Sequence, residues 1–209
     1  MRRYTHGCLA LALAGVFSSL QAHACKPPEG FVNPPRPDIA SFDRLVARTE
    51  QKVVERSLAD AMKDATRPLE EAIRPTKDLP GVSGTFRLST GPFGTVGGRR
   101  LVCLTDGNFA VEEVLLAEST GDGNRFMYVV WNYTSPRFAD VEYGIGEFVR
   151  TQPSPDRTIV SWTYRFSLKD GRDPAKFRQT FLDGMFADWM RNVFGTALAN
   201  SQANSAAQP

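Results

Sequence analysis

The clearest pattern in the chain is a strict alternation between residues 158 and 168. Val160, Trp162, Tyr164, Phe166 and Leu168 occupy every second position, with serine, threonine, arginine and isoleucine between them. Successive side chains of a β-strand point to opposite faces, so this alternation predicts a strand. One face of the predicted sheet is then covered by apolar packing, and the other is largely exposed to water.

A long amphipathic helix, from about Pro174 to Ala199, is predicted to cover that face of the sheet. Asp173 stands where a side chain caps the first turn, and a proline suits that turn. Gly184 and Gly195 lie within the helix and indicate close packing or a bend. Apolar side chains recur every four residues and have apolar neighbours, which predicts a wide buried stripe: Phe177, Phe181, Met185, Trp189 and Val193, flanked by Phe186, Met190, Phe194 and Leu198.

Residues 84–169 predict a series of β-strands joined by short turns. The turns are indicated by glycine, aspartate and asparagine clusters at residues 91–98, 106–108 and 121–124. Because neighbouring strands have short connections, the sheet is predicted to be antiparallel. Gly144 and Gly146 fall within one strand and fit a bend in the sheet.

The region before the sheet predicts one strand and two short helices. Residues 49–57 favour a strand, although they also fit the end of a helix that begins near Ile39. Apolar residues at helical spacing follow in residues 58–73, and Pro68 interrupts them. The predicted fold class is therefore α+β.

The first 24 residues have the layout of a secretory signal peptide. Arg2 and Arg3 precede an apolar stretch at residues 8–20, and Ala22-His23-Ala24 forms a small-x-small cleavage site. This stretch is shorter than the about 20 residues that span a bilayer, and no other stretch approaches that length. We therefore expect an exported protein, periplasmic or secreted, with no transmembrane span in the mature chain.

Residues 25–41 are predicted to be a proline-rich linker, and residues 200–209 a disordered tail.

Charge and histidine content exclude several classes of function. The 209-residue chain has a formal net charge of +2, and Arg2 and Arg3 account for it, since removing them leaves 25 − 2 = 23 basic against 23 acidic side chains. No basic tract remains to bind nucleic acid. His6 and His23 also lie in the signal segment, so the mature chain has no imidazole for a catalytic nucleophile pair or a zinc site. No metal or cofactor is expected.

Two cysteines, Cys25 and Cys103, remain in the mature chain, and the sequence leaves their state open. Cys25 would be the first mature residue, the position at which bacterial lipoproteins carry a lipid anchor. Alternatively, Cys25 pairs with Cys103 in a disulfide, which an exported protein permits. Two free thiols are the third possibility. A soluble exported protein is favoured, because Ala22 stands where lipoproteins usually carry leucine.

The order of elements and several short motifs resemble the SRPBCC superfamily, which includes START-like lipid-transfer domains and polyketide cyclases. The resemblance covers about residues 49–199, within a domain placed at residues 42–199. It implies a helix-grip fold, in which a curved antiparallel sheet wraps around a long C-terminal helix and leaves a cavity for an apolar ligand. The motifs that carry it are LPGV (79–82), GRR (98–100), DG (106–107), VEEVL (111–115), RFMY (125–128), YGIGEF (143–148) and VSWTY (160–164).

Strand alternation places a small set of polar residues among apolar ones, and these are the candidate ligand contacts. The expected polar groups are Arg100, Glu112, Asn132 and Glu147, and the expected apolar walls are Tyr128, Tyr143, Trp162, Tyr164, Met185 and Trp189. A buried carboxylate with a raised pKa, Glu147 or Glu112, would suit an acid or base. The competing interpretation is that both glutamates form structural ion pairs with arginines, and that the tryptophans are simply core residues.

The favoured function is sequestration of a hydrophobic small molecule or lipid, without chemistry. One alternative is a cyclase-like or aromatase-like enzyme that uses Glu147 or Glu112. The other is a structural or interaction module of the cell envelope whose interior is filled by its own side chains. The three differ in whether a cavity exists and in what lines it.

Overall fold

A seven-stranded antiparallel sheet forms the frame of the protein. The computed structural model describes residues 25–195, so the predicted signal peptide and tail, and the last residues of the predicted helix, lie outside the described residues. The sheet has the order β1-β7-β6-β5-β4-β3-β2, so the first strand and the last lie side by side. Its strands are β1 (Val46–Val54), β2 (Val82–Arg87), β3 (Arg99–Leu104), β4 (Phe109–Ser119), β5 (Gly123–Trp131), β6 (Val141–Ser154) and β7 (Arg157–Leu168).

Two short helices follow β1, as the sequence predicts. Helix α1 spans Leu58–Ala65 and α2 spans Leu69–Ala72, with Pro68 directly before the second. The backbone N–H of Asp60 donates to the Ser57 hydroxyl at 3.2 Å, which satisfies one of the free donors of the first turn. The break between the helices is explained by proline, which lacks an N–H and clashes with the preceding turn.

The C-terminal helix lies across the inner face of the sheet. It begins at Pro174–Phe177, continues as a π-helical segment at Arg178–Phe186, and is α-helical again at residues 187–195. Asp173 caps it by accepting hydrogen bonds from the backbone of Ala175 and Lys176, as predicted. Among residues 25–195, no helix is long and apolar enough to cross a membrane.

Two separate cores lie on the two faces of the sheet. The inner core joins the sheet to the C-terminal helix and includes Trp162, Phe166, Phe181, Phe186 and Met190. The outer core contains Leu101, Val111, Val129, Trp131, Tyr143 and Ile145. The expectation that the second face is largely wet is therefore wrong for the middle of the sheet.

Residues 25–41, which we call the N-terminal segment, cover the outer core. Phe31 and Ile39 pack against it, and the Ala40 backbone N–H donates to the Tyr143 hydroxyl at 2.8 Å. The segment has no helix or strand, but it is packed on the sheet instead of serving as a free linker. Its prolines favour an extended chain, which suits this path across a sheet.

A disulfide ties the start of the N-terminal segment to β3. Cys25 and Cys103 are bonded, with their Cα atoms 5.7 Å apart. Of the three states that the sequence left open, the structure has the disulfide, and the same Cys25 sulfur is then not available for an acyl anchor. Closing a loop of 78 residues removes freedom from the unfolded chain, which stabilises the fold by about 4 kcal/mol in the entropic description.

Candidate functional site

A cavity of about 690 Å³ lies between the inner face of the sheet, helices α1 and α2, and the C-terminal helix. This volume is within the range of about 300–1,000 Å³ that is usual for small-molecule sites. Aromatic and aliphatic side chains from every one of these elements form most of its wall. Representative members of the wall are Met62, Ile73, Val102, Phe126, Tyr128, Val130, Phe148, Trp162, Tyr164, Phe186, Trp189 and Phe194.

Two glycines of β6 make room for the tyrosines of this wall. A Cβ atom on Gly146 would lie 2.2 Å from Cζ of Tyr128, and one on Gly144 would lie 2.7 Å from a ring carbon of Tyr164. Real Cβ atoms do not approach that closely, so larger residues here would push both rings towards the cavity. The sequence suggested that these glycines bend the sheet; the structure adds that they set the space beside it.

The tyrosines of the wall are neutral. Burial raises the pKa of Tyr128 and of Tyr164 well above the usual value, because an ionised phenol would lose its hydration there. Tyr133, which also lines the cavity, has a raised pKa for the same reason. These phenols supply an amphipathic wall with hydroxyl groups, and they are not set up to act as bases near neutral pH.

Arg100 and Glu112 form an ion pair on the cavity wall. Nε of Arg100 donates to a carboxylate oxygen of Glu112 at 2.5 Å, and the guanidinium carbon lies 3.5 Å from the centre of the Phe93 ring. Both residues line the cavity, as the sequence predicts. The opposite charges of Arg100 and Glu112 therefore compensate each other on the cavity wall.

Arg150 is a second arginine of the wall, and it is not among the contacts predicted from the sequence. Its side chain is on the same face of β6 as Gly146 and Phe148, and only 8% of the residue is exposed. It donates one hydrogen bond, to the amide oxygen of Asn124 at 2.9 Å, and its guanidinium carbon lies 4.9 Å from the Phe148 ring centre. It forms no ion pair with a carboxylate in the described part of the chain. The alternation of residues 144–150 was the sequence signal that could have placed Arg150 on the same face as Gly146 and Phe148.

The cavity contains six of the ten residues predicted to contact a ligand. They are Arg100, Glu112, Tyr128, Trp162, Tyr164 and Trp189. Asn132 is exposed in the turn after β5, where its φ of 54° places it in the left-handed region that asparagine tolerates. Met185 is partly buried against the inner core but does not line the cavity, because the buried side of the π-helical segment is formed by Phe181, Leu182 and Phe186.

The placement of Tyr143 and Glu147 on the cavity is wrong, since both lie on the outer face. Tyr143 is buried under the N-terminal segment. Glu147 accepts hydrogen bonds from Arg125 and Arg165, each at 2.7 Å. Burial alone would raise the pKa of Glu147, but these two arginines outweigh it and hold the pKa below its usual value. Glu147 is therefore an ionised partner in an ion-pair cluster, as the competing interpretation held.

Solved structures of other proteins share this architecture. A hypothetical protein from Helicobacter pylori matches with a TM-score of 0.57 at 12% identity, over 81% of this chain and 99% of its own. Ara h 8.0201 matches with a TM-score of 0.52 at 13% identity, over 74% of this chain and 99% of its own. A protein from Nitrosospira multiformis matches with a TM-score of 0.51 at 17% identity, over 77% and 99%. The chain has the helix-grip fold.

These likenesses confirm the fold predicted from the sequence and extend no further. No family model matches the sequence, and no curated protein matches it. At identities of 12–17%, the shared property is the arrangement of the backbone, and a fold does not fix a function. The feature of this chain that bears on its function is therefore its cavity.

Proposed function

We propose that the protein binds an apolar small molecule or lipid in the cavity between the sheet and the C-terminal helix, and that it does so as an exported member of the SRPBCC superfamily. The observation that carries the proposal is the cavity itself, about 690 Å³ within a wall that is mostly aromatic and aliphatic. Apolar surface that leaves water contributes about 25 cal/mol per Å², so such a site favours a hydrophobic guest.

A retained cavity of this size also argues against an interior filled by its own side chains. Empty volume costs stability, at about 24 cal/mol per Å³ in truncated cores, so a fold without use for the space gains by closing it. Here glycines at positions 144 and 146 stand where larger residues would drive the tyrosines into the space. These features fit a wall that is shaped around a guest.

An acid–base enzyme has less support from the same geometry. Of the two carboxylates considered, Glu147 faces the other side of the sheet, and Glu112 is paired with Arg100. Export is supported by the signal-like residues 1–24 and by the Cys25–Cys103 disulfide, which an oxidising compartment preserves. We therefore place carriage or storage of a hydrophobic molecule ahead of catalysis.

Binding of N-phenyl-1-naphthylamine, a neutral apolar dye that fluoresces strongly in apolar sites, tests this proposal. The matched pair of variants is Val130→Phe, on the cavity wall, and Val149→Phe, on the exposed outer face of the next strand. Filling the cavity is expected to weaken dye binding at least about ten-fold, whereas the outer-face variant binds like the wild type.

Circular dichroism and the melting temperature report whether each variant is folded, and Val160→Phe is a second cavity variant if Val130→Phe does not fold. A wild-type protein that does not enhance the dye's fluorescence contradicts the proposal. The proposal is also contradicted if Val130→Phe and Val149→Phe weaken dye binding equally.

A further inference from the structure

The charges on the cavity wall are unequal. Of the described residues that line it, five are basic (Lys52, Arg56, Arg67, Arg100 and Arg150) and one, Glu112, is acidic. That single carboxylate is hydrogen-bonded to Arg100. Arg150 is a basic residue of the wall that has no carboxylate partner among the described residues, and such a cation favours an anionic guest.

Arg150 is the most deeply buried of these basic residues. It is 92% buried, and its one hydrogen bond goes to a neutral amide, Asn124. A guanidinium has five N–H donors in a planar fork, which matches the two oxygens of a carboxylate or the edge of a sulfate or phosphate. An isolated buried cation is costly, and an oxyanion that pairs with it offsets that cost.

Apolar groups surround Arg150 on the cavity side. Its guanidinium packs near the Phe148 ring, and in the register of the sheet it is paired with Val160 on β7. The Phe148 ring in turn stacks on Trp162, with centroids 5.0 Å apart. An oxyanion held at Arg150 thus has an apolar wall next to it, where the rest of the same molecule would lie.

We propose that the ligand is an anionic amphiphile, with a carboxylate, sulfate or phosphate head bound by Arg150 and an apolar body in the cavity. This inference rests on the proposed function, since it specifies the chemical class of the guest in the same site. The Asn124 side chain positions the guanidinium, and Phe148 packs along it. The head group fixes the orientation of the ligand, and the aromatic wall supplies contact area.

The test compares 9,10-dibromostearic acid with its methyl ester, which have the same apolar body and differ in charge. Bromine quenches tryptophan fluorescence at short range, and Trp162 and Trp189 line the cavity while Trp131 lies in the outer core. The acid is expected to bind at least about ten-fold more tightly than the ester, because a hydrogen bond between charged groups usually contributes that much to affinity.

Variants of Arg150 test whether this residue causes the preference for the acid over the ester. In Arg150→Met the acid should lose its advantage while the ester binds as before, and Arg150→Lys should keep part of the preference. Arg157→Met is the matched control, because Arg157 is at the exposed start of β7 and is paired only loosely with Glu55 at 3.6 Å. It should behave like the wild type.

The outcomes separate this inference from the proposed function. If the wild type binds acid and ester equally, or if Arg150→Met keeps the preference, the anionic head is wrong while the apolar site stands. If neither compound quenches the tryptophans, the proposed function fails. Displacement of the acid by inorganic phosphate alone at submillimolar concentration would show a site for a free anion and overturn the amphiphile. The comparison of acid with ester on the wild type decides the matter even if Arg150→Met does not fold.

Discussion

The two faces of the sheet differ in how their buried charges are compensated. On the outer face each buried carboxylate has two arginines: Glu113 is bound by Arg36 and Arg99, and Glu147 by Arg125 and Arg165. On the inner face Glu112 is paired with Arg100, whereas Arg150 is buried with no carboxylate partner in residues 25–195. Compensated clusters are typical of structure, whereas an uncompensated buried cation persists where something else supplies the counter-charge.

The two faces also differ in how completely they are packed. The outer face is closed by the N-terminal segment, which packs on Trp131 and Tyr143 and is held by a disulfide. The inner face keeps a cavity of about 690 Å³ beneath the C-terminal helix. One side of the sheet is therefore closely packed, and the other keeps the space that the proposed ligand needs. Changes on the outer face should therefore alter stability and leave binding intact.

Removing the disulfide should have the largest effect on stability. The double variant Cys25→Ser with Cys103→Ser is expected to lower the free energy of unfolding by about 2–4 kcal/mol, since the unfolded chain regains the freedom that the 78-residue loop had lost. Chemical denaturation measures this change. Dye affinity should stay within about two-fold of the wild type at temperatures where the variant is folded. If the double variant lost dye affinity as well as stability, the outer face would not be independent of the binding site, which would contradict this account.

Gly146→Ala should be the next most damaging change. Its Cβ would overlap the Tyr128 ring at 2.2 Å, so strand β6 or the ring has to move, at a cost of about 1–3 kcal/mol. Gly121→Ala is the control, since a Cβ there meets nothing within 4 Å. Thermal unfolding compares the two variants. If Gly146→Ala is as stable as Gly121→Ala, the glycine does not set the space for the tyrosine.

Glu147→Gln should destabilise the outer face by about 1–2 kcal/mol at neutral pH, because Arg125 and Arg165 lose their shared carboxylate. The pKa of Glu147 is lowered in the folded protein, so its contribution is complete above the ordinary pKa of a glutamate and is lost as the pH falls through the lowered value. The difference between wild type and variant should therefore shrink below about pH 4. Urea titrations at several pH values measure it, and a difference that persists unchanged in acid would contradict the ion-pair account.

Arg150→Met should have the smallest effect and the opposite sign. Burial lowers the pKa of Arg150 to about 10, because the charged form loses hydration without gaining a carboxylate. The folded state thus holds this proton less tightly than the unfolded chain, and the penalty is present at every pH below about 10. Removing the cation is expected to stabilise the empty protein by about 1 kcal/mol after the loss of the Asn124 hydrogen bond. Calorimetry against Arg157→Met checks the sign, and a less stable Arg150→Met would show that the cation is already compensated.

The fold was predictable because its strongest signals are local. The alternation of Val160 to Leu168 and the apolar stripe of the last helix each follow from the geometry of one element. A strand and a helix with complementary apolar faces have few ways to pack. The order from β2 to β7 then follows from the connections between neighbouring strands, whereas the pairing of β1 with β7 does not.

The orientation of β6 was not predictable in the same way. Tyr143 and Ile145 are apolar and alternate, so they look like the face beneath the helix, but the N-terminal segment covers them instead. The cavity face of this strand carries Gly144 and Gly146, whose missing side chains are replaced in space by tyrosines of neighbouring strands. Which face is inner depends on those distant partners, and alternation within one strand contains no information about them.

The central claim, that the inner face alone receives a ligand, is tested most directly by the three indole N–H signals in a ¹⁵N-correlated NMR spectrum. The chain has three tryptophans, of which Trp162 and Trp189 line the cavity and Trp131 lies in the outer core. Titration with N-phenyl-1-naphthylamine should shift the signals of Trp162 and Trp189 together, with one dissociation constant, and leave that of Trp131 in place. Shifts confined to Trp131, or no shift of any indole at saturating dye, would contradict the account.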